Sequence, residues 1–309
     1  MKIVVSTKRL LRGLNRSVMV QADASYKVVW QGYPILLMGT TDKSQTFHPF
    51  VLAVCKGESK EDFAFIFRAL HAYNPQWLPT ILLGDACEAI LAGFTLVFGP
   101  PLVRLMCYFH VRKNIEPYYR ALSKNARRQL QCDVQALQNC QDASTFLKAV
   151  PLFLKKWTAI HPDFVKYFRE QWISKNYQWF EGAAVGQPSS NNGLEATNGV
   201  IKSEHTMRER LPVGQFLSTT LEIVLQWSET RDPESANCIE YATTPKVSLP
   251  QWTKAYQWAV EKKTVIEEAA GTFFTASSTS IQITKKRLKQ YKEAKWRTFD
   301  EFIQLNNGV

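Results

Sequence analysis

The sequence lacks the features that mark secreted, disulfide-rich or membrane proteins. Its six cysteines include no pair at Cys-x-x-Cys spacing, and a chain of 309 residues that is 45% hydrophobic needs no disulfide to hold its core. The N-terminus has no apolar run of signal-peptide length. The uncharged apolar stretch at residues 89–103 is too short to span a bilayer. We therefore expect reduced thiols and a soluble intracellular protein with no membrane partner.

Acidic residues are also in short supply. The chain has 38 Lys and Arg against 27 Asp and Glu, a formal net charge of +11. Such a surplus favours a polyanionic partner, nucleic acid before an acidic membrane. Residues 1–16 contain five bases and no acid and read as a basic lead-in. A charge run is usually a solvated face, so composition alone does not establish nucleic-acid binding.

The first third of the chain has the pattern of an α/β protein. Five β-like runs are predicted at 17–23, 34–41, 47–55, 80–84 and 103–107. The turn-forming segment 42–45 makes the second and third runs an antiparallel hairpin. Ser59 and Asp62 form a capping box at the start of a helix, and a further helix is predicted over 86–98. The order βββαβαβ predicts a mixed sheet with helices on its faces.

The remainder of the chain has a helical pattern. Helices are predicted over most of 108–187, and Pro151 is expected to kink or break one of them. The segment 182–193 has the composition of a loop, a helix carrying Glu195 is predicted to begin near Asn191 or Asn192, and further helices follow to the end. Four aromatic residues are predicted to be core rather than base-stacking platforms: Trp157, Trp172, Trp179 and Phe180.

Two aspartates stand at the ends of predicted strands. Asp23 ends the first run and Asp85 follows the fourth. If these strands are neighbours, both carboxylates project into one crevice at the carboxyl edge of the sheet, and Glu195 enters it from a helix N-terminus. Three carboxylates suit Mg²⁺ or Mn²⁺. Taken singly, each acid is as well explained as a helix cap, and Asp85 could cap the helix after it.

Four motifs in order make the acids more specific. They are ADASYK at 22–27, LLGDACEAI at 82–90, CYFHVRKN at 107–114 and SSNNGLEATNGVIK at 189–202. Together they resemble the successive motifs of Mutator-like element (MULE) transposases over roughly residues 17–230.

The resemblance implies an RNase H-like fold with an all-α insertion between the second and third catalytic acids. It implies a DDE triad of Asp23, Asp85 and Glu195 that holds two Mg²⁺ or Mn²⁺ ions for phosphodiester hydrolysis and strand transfer. Asn192 and Asn198 flank Glu195 on one helix face and could orient its carboxylate or touch DNA. The implied partner is double-stranded DNA, both transposon ends and target, in the nucleus; a homo-oligomer is left open.

Cys107 and His110 match a Cys-x-x-His signature of the family, and their role is left open. They are either a zinc ligand pair or a structural or DNA-proximal pair, and His110 alone is equally a buried, hydrogen-bonded histidine. Two ligands are half a tetrahedral site and no second pair completes it, so zinc is not expected. Bases near the motifs are candidates for phosphate contacts: Arg112, Lys113, Lys202, Arg208 and Arg210.

The expected organisation follows from these assignments. Its parts are a basic lead-in (1–16), the first part of the core (17–115), the helical insertion (116–187), the core completion with Glu195 (188–235) and a helical basic C-terminal region (236–309). The zinc modules that usually flank such cores are not visible, so the expectation is a catalytic domain. Two rival functions remain: a non-catalytic DNA-binding regulator derived from a transposase, and a generic RNase H-like nuclease.

Overall fold

The computed structural model describes residues 1–120, 122–261, 265–269, 272–275, 284–293 and 295–306. Within them the chain divides into two compact units, one of residues 1–111 and 186–245, the other of residues 112–185 and 246–309. No described helix is long and apolar enough to cross a membrane. All six cysteines are free thiols, as expected.

The first unit is built on a six-stranded sheet. In chain order its strands are β1 (Lys2–Val5), β2 (Met19–Ser25), β3 (Ile35–Thr41), β4 (Phe47–Cys55), β5 (Ile81–Gly84) and β6 (Val103–Met106). Across the sheet the order is β1-β4-β3-β2-β5-β6. The β1–β4, β4–β3 and β3–β2 pairs are antiparallel, whereas β2, β5 and β6 run parallel. The predicted mixed sheet and its β3–β4 hairpin are confirmed.

Helices cover both faces of this sheet. The helices of the unit are α1 (Lys8–Leu11), α2 (Lys60–Tyr73), α3 (Glu88–Phe98), α8 (Asn192–Val200) and α9 (Val213–Glu229), with a 3₁₀ turn at Arg12–Arg16 and a π-helical turn at Ile201–His205. Phe63 and Phe67 of α2 pack with Phe94 of α3 against one face, and Leu194 and Phe216 pack against the other. The predicted capping box of Ser59 and Asp62 is confirmed.

A close approach of two helices depends on Gly93. A Cβ added there would lie 2.6 Å from the Cβ of Phe63 and 2.9 Å from the carbonyl oxygen of Lys60, so α2 and α3 would have to separate. We expect Gly93→Ala to lower the free energy of unfolding by about 1–3 kcal/mol, as overpacked cores do. Gly214→Ala in α9 is the control, because nothing lies within 4 Å of its Cβ. Equal unfolding midpoints in urea for the two variants would contradict this packing.

The second unit is largely helical. Its elements are α5 (Lys124–Gln138), α6 (Ala143–Thr158), α7 (Pro162–Phe168), a π-helical turn (Arg169–Lys175), a 3₁₀ turn (Glu181–Ala183), α10 (Leu249–Val260), β7 (Val265–Ala269), β8 (Thr272–Thr275), α11 (Lys285–Lys292) and α12 (Phe299–Asn306). Helix α4 (Tyr108–Tyr119) begins in the first unit's sequence range and ends in that of the second. The predicted aromatic core is confirmed, since Trp157, Trp172, Trp179 and Phe180 are at most 2% exposed.

Four expectations need correction. Pro151 does not break α6, which continues to Thr158 with Phe153, Leu154 and Trp157 buried beyond the proline; the expected kink stays a prediction. The helix expected from residue 86 begins at Glu88, since residues 86 and 87 form a turn. The first strand is displaced two residues to Met19–Ser25. The C-terminal region is not wholly helical, as β7 and β8 pair as antiparallel strands.

Strand β1 lies in the segment interpreted only as a basic lead-in. Residues Lys2–Val5 pair along the edge of the sheet, with Lys2 opposite Cys55 and Val5 opposite Leu52. Four residues are too few to show a period, and their partner strand is fifty residues away. The pairing therefore has no local signal in the sequence.

Candidate functional site

The parallel pairing of β2 and β5 places the two aspartates at one edge of the sheet. Met19 pairs with Ile81 and Gln21 with Leu83, so the strands are immediate neighbours. Asp23 lies near the carboxyl end of β2 and Asp85 directly follows β5. The carboxyl ends of parallel strands form the crevice in which functional groups of open α/β sheets gather. The neighbouring strands that the sequence analysis required are present.

Asp85 is not the cap of the following helix. Its Oδ1 accepts a hydrogen bond from the backbone N–H of Cys87 at 2.9 Å, which shapes the turn between β5 and α3. The N-cap of α3 is Cys87, which makes no side-chain capping bond. The alternative that Asp85 caps helix α3 is therefore wrong, although its side chain does stabilise the turn before that helix.

Helix α8 brings Glu195 to the same edge. It begins at Asn192, as expected, and Glu195 lies in its first turn, where the helix dipole favours a carboxylate. One turn later, Asn198 Nδ2 donates a hydrogen bond of 3.0 Å to Asp23 Oδ2. Among the described residues, no hydrogen bond joins the exposed Asn192 to the acids. The sequence gives the two asparagines the same candidate role, whereas in the structure Asn198 binds one of the acids and Asn192 is exposed.

His110 and Cys107 belong to the same cluster. His110 Nδ1 lies 3.4 Å from Glu195 Oε1, and the Cys107 thiol donates to that oxygen at 3.9 Å. Two groups of residues each have their candidate ligand atoms within 4.8 Å of one another. One group is Asp23, Asp85 and His110, and the other is Cys107, His110 and Glu195. His110 is common to both sets. The signature pair of unassigned role is therefore part of the acidic centre.

Burial and the neighbouring acids disfavour the charged form of Asp23. Burial, together with the charges of Asp85 and Glu195, raises the pKa of Asp23 from 3.8 to about 7. Glu58 adds to the same repulsion, whereas the backbone N–H of Ala24 opposes it. The carboxylate form of Asp23 is thus disfavoured in the folded protein, first by burial and then by the neighbouring negative charges. A bound cation is the simplest compensation.

The Cys107 thiol is held in its neutral form. Burial raises its pKa to about 11, and its Sγ accepts a hydrogen bond from the backbone N–H of Asn191 at 3.4 Å. This contact ties the start of α8 to the end of β6. A neutral, buried thiol of this kind fixes Glu195 in place and does not resemble a reactive nucleophile.

Two residues of the site were not found from the sequence. Arg104 on β6 donates from Nη2 to the carbonyl oxygen of Asp85 at 2.7 Å, and burial lowers the pKa of its guanidinium to about 10. Asn191 is fully buried, and neither of its side-chain amide atoms has a hydrogen-bond partner in the described structure. A basic residue in a short strand and an asparagine in a polar loop carry no pattern that distinguishes them.

The candidate phosphate-binding bases divide between the two units. Lys202, Arg208 and Arg210 lie in the first unit, and both arginines are exposed. Arg112 and Lys113 are exposed residues of α4 that fall in the second unit. Their proposed contact with DNA stays a prediction.

A match to a known protein family includes the strands that form this edge of the sheet. Residues 19–114 match the family model of the MULE transposase domain. The matched segment includes β2 to β6 and the beginning of α4, and therefore Asp23, Asp85, Cys107 and His110. It ends before α8 and Glu195. A search of curated proteins found no match.

Proposed function

We propose, on the premise that residues 19–114 belong to the MULE transposase domain family, that this chain is the catalytic part of a DNA transposase acting in the nucleus. It would cleave a phosphodiester at a transposon end and join the freed 3′ end to target DNA. The observation that carries the proposal is a pair of ligand-atom sets at one sheet edge, Asp23 and Asp85 with His110 in one and Glu195 with His110 in the other, although these residues are distant in sequence. An antiparallel β2–β3–β4 followed by parallel β5 and β6 supports an RNase H-like arrangement.

We assign the metal-binding role to the three acids. Asp23, Asp85 and Glu195 supply the hard oxygen ligands that Mg²⁺ and Mn²⁺ prefer, and the raised pKa of Asp23 fits a centre that is completed by cations. Two such ions, when bound, activate the attacking hydroxyl or water and stabilise the leaving 3′ oxygen. His110 is a nitrogen donor of the kind preferred by softer metals, so we assign it to positioning Glu195.

The surrounding residues hold these acids in place. Asn198 orients the Asp23 carboxylate through its hydrogen bond, and Arg104 fixes the backbone at Asp85. The Cys107 thiol and His110 both contact Oε1 of Glu195, which restricts the rotation of that carboxylate. Such fixed partners are needed because small displacements of ligands reduce metal affinity and rate.

The direct test is cleavage of an end-labelled DNA duplex by the purified chain in Mg²⁺ and in Mn²⁺. Nicks with free 3′ hydroxyl ends are expected in both metals and none in EDTA. DNA binding without cleavage in either metal would favour a DNA-binding regulator. Preference for an RNA–DNA hybrid in competition would favour a generic nuclease. Stoichiometric zinc in the protein would assign Glu195 to the Cys107–His110 set and remove it from the magnesium site.

The two asparagines of α8 make a matched pair for the positioning role. We expect Asn198→Ala to lower the cleavage rate by about 10- to 100-fold, because the Asp23 carboxylate loses the hydrogen bond that the Asn198 side chain donates. Asn192→Ala, at an exposed position in the same helix, should leave the rate within about twofold. Higher Mg²⁺ should partly restore Asn198→Ala if the defect is in metal binding. Equal rates for the two variants would contradict the assignment.

A further inference from the structure

An arginine-lined cavity lies in the first unit, away from the acids. Its volume is about 330 Å³, and its charged lining residues are Arg9, Arg12, Arg16, Arg231 and Glu240. Leu10 and Phe50 contribute to its apolar floor, and His48 and Tyr241 line it beside each other, with ring centroids 5.1 Å apart. Four arginines against one glutamate make this an electropositive recess. Nothing in the proposed reaction uses it.

The sheet register places this cavity at the opposite end of the strands from the acids. Asp23 pairs with Leu37, and Leu37 pairs with Leu52 of β4. His48, which lines the cavity, precedes Leu52 by four residues on that strand. At about 3.3 Å per residue, the cavity lies about 13 Å along the strands from the level of Asp23. It is therefore a separate site.

Arg231 is anchored in the cavity wall, and no carboxylate in the described part of the chain lies within 4.0 Å of its guanidinium. Its Nη2 donates to the carbonyl oxygen of Phe47 at 3.0 Å, and its Nη1 donates to the carbonyl oxygen of Trp227 at 3.1 Å. Its Nε is buried and has no hydrogen-bond partner in the described structure. Burial lowers the pKa of the guanidinium to about 10. A charge held in this way, by neutral acceptors alone, is incompletely compensated.

Of the other arginines, Arg12 and Arg16 add to the excess of positive charge, and Arg9 does not. Within the described residues, no carboxylate lies within 4.0 Å of the guanidinium of Arg12 or Arg16, whereas Arg9 is paired with Asp232 at 2.5 Å. The charges of Arg16 and Arg231 also disfavour protonation of His48 and help to lower its pKa, although burial is the larger cause. His48 is bound at 3.0 Å to the buried Asp42, so that carboxylate is already engaged.

We propose that this cavity binds a phosphate group, carried either by the DNA backbone or by a free phosphate. Guanidinium groups bind phosphate oxygens with paired, directional hydrogen bonds, and Arg231 is pre-positioned for such a contact by its own hydrogen bonds. Arg12 and Arg16 are exposed at the rim and supply the remaining charge. If the phosphate belongs to DNA, which rests on the proposed function, the cavity holds the duplex at a point remote from the cleaved bond.

The test compares two double variants that each remove two positive charges. Arg12→Gln with Arg16→Gln changes the cavity; Arg68→Gln with Lys148→Gln changes exposed bases elsewhere and is the control. Affinity for a fluorescent duplex is measured in EDTA over a salt series, so that cleavage plays no part. In parallel, the melting temperature is measured with inorganic phosphate against chloride at equal ionic strength.

The cavity variant should bind DNA about tenfold or more weakly near 0.1 M salt, with a salt slope lower by about two, whereas the control should change much less. Loss of stabilisation by inorganic phosphate with DNA binding intact would assign the site to a free phosphate. Behaviour like the control in both measurements would overturn the proposal. Should the wild-type chain not bind DNA at all, the proposed function fails and the phosphate arm still decides the cavity.

Discussion

Asp23→Asn, Asp85→Asn and Glu195→Gln are each expected to lower DNA cleavage by about a thousandfold or more. Each change removes one anionic metal ligand, a loss of several kcal/mol of transition-state stabilisation, and every 1.4 kcal/mol is about tenfold in rate. Binding to the same duplex in EDTA should be unchanged. Glu222→Gln, an exposed acid on α9, is the control and should cleave normally. Full activity in any of the three variants would refute the assignment of that acid.

The stability of Asp23→Asn tests whether the charge of Asp23 destabilises the metal-free protein. The folded-state pKa of Asp23 is raised from 3.8 to about 7, so its ionisation destabilises the metal-free protein as pH rises through that interval. Asp23→Asn should therefore stabilise the metal-free protein at pH 8, by at most about 4 kcal/mol in the free energy of unfolding. In EDTA this appears as a higher melting temperature than that of the wild type. Mg²⁺ should stabilise the wild type more than the variant. A lower melting temperature for Asp23→Asn in EDTA would contradict this electrostatic account.

Asp133→Ala is expected to destabilise the second unit more than any surface change. Asp133 is fully buried and accepts hydrogen bonds from Gln129 and from Trp157 Nε1, both at 2.8 Å. Its Oδ2 also lies 2.7 Å from Lys156 Nζ. Removing it leaves a buried indole N–H and an ammonium without this acceptor, a cost of about 3–5 kcal/mol.

Asp300→Ala is the matched control for that network. Asp300 binds the same Lys156 Nζ at 2.6 Å, but its side chain is 65% exposed. Exposed ion pairs contribute about 0–1 kcal/mol, so its loss should hardly move the urea midpoint of the helical CD signal. Similar midpoints for the two variants would show that the buried Asp133 contributes no more to the stability of this unit than the exposed Asp300.

The sequence was informative where a local pattern coincides with the structure. Asp23 and Asp85 could be placed because short apolar runs end beside them, and the capping box of Ser59 and Asp62 is itself a local device. Gly99, at a backbone φ of 79°, ends α3 where expected. These features depend on a few neighbouring residues, so one sequence is enough to find them.

The rest of the site depends on partners that are distant along the chain. The contact of His110 with Glu195 and the support of Asp85 by Arg104 appear only once the strands are ordered. The break predicted at Pro151 is wrong because a local signal was followed where distant contacts decide the structure. Its local penalty is real, but tertiary packing of Phe153 and Trp157 outweighs it and the exposed ring spares the core. Propensity is a weak guide wherever burial opposes it.

The chain enters the first unit, leaves it after residue 111 and returns at residue 186. Asn198 meets Asp23 across 175 residues, which is a costly loop to close and predicts slow, late assembly of this edge. During synthesis, at about 5–20 residues per second, the two aspartates leave the ribosome several seconds before the helix that brings Glu195. A chain interrupted in that interval has the aspartates without the glutamate. Every product that ends before residue 195 therefore lacks the complete set of acids.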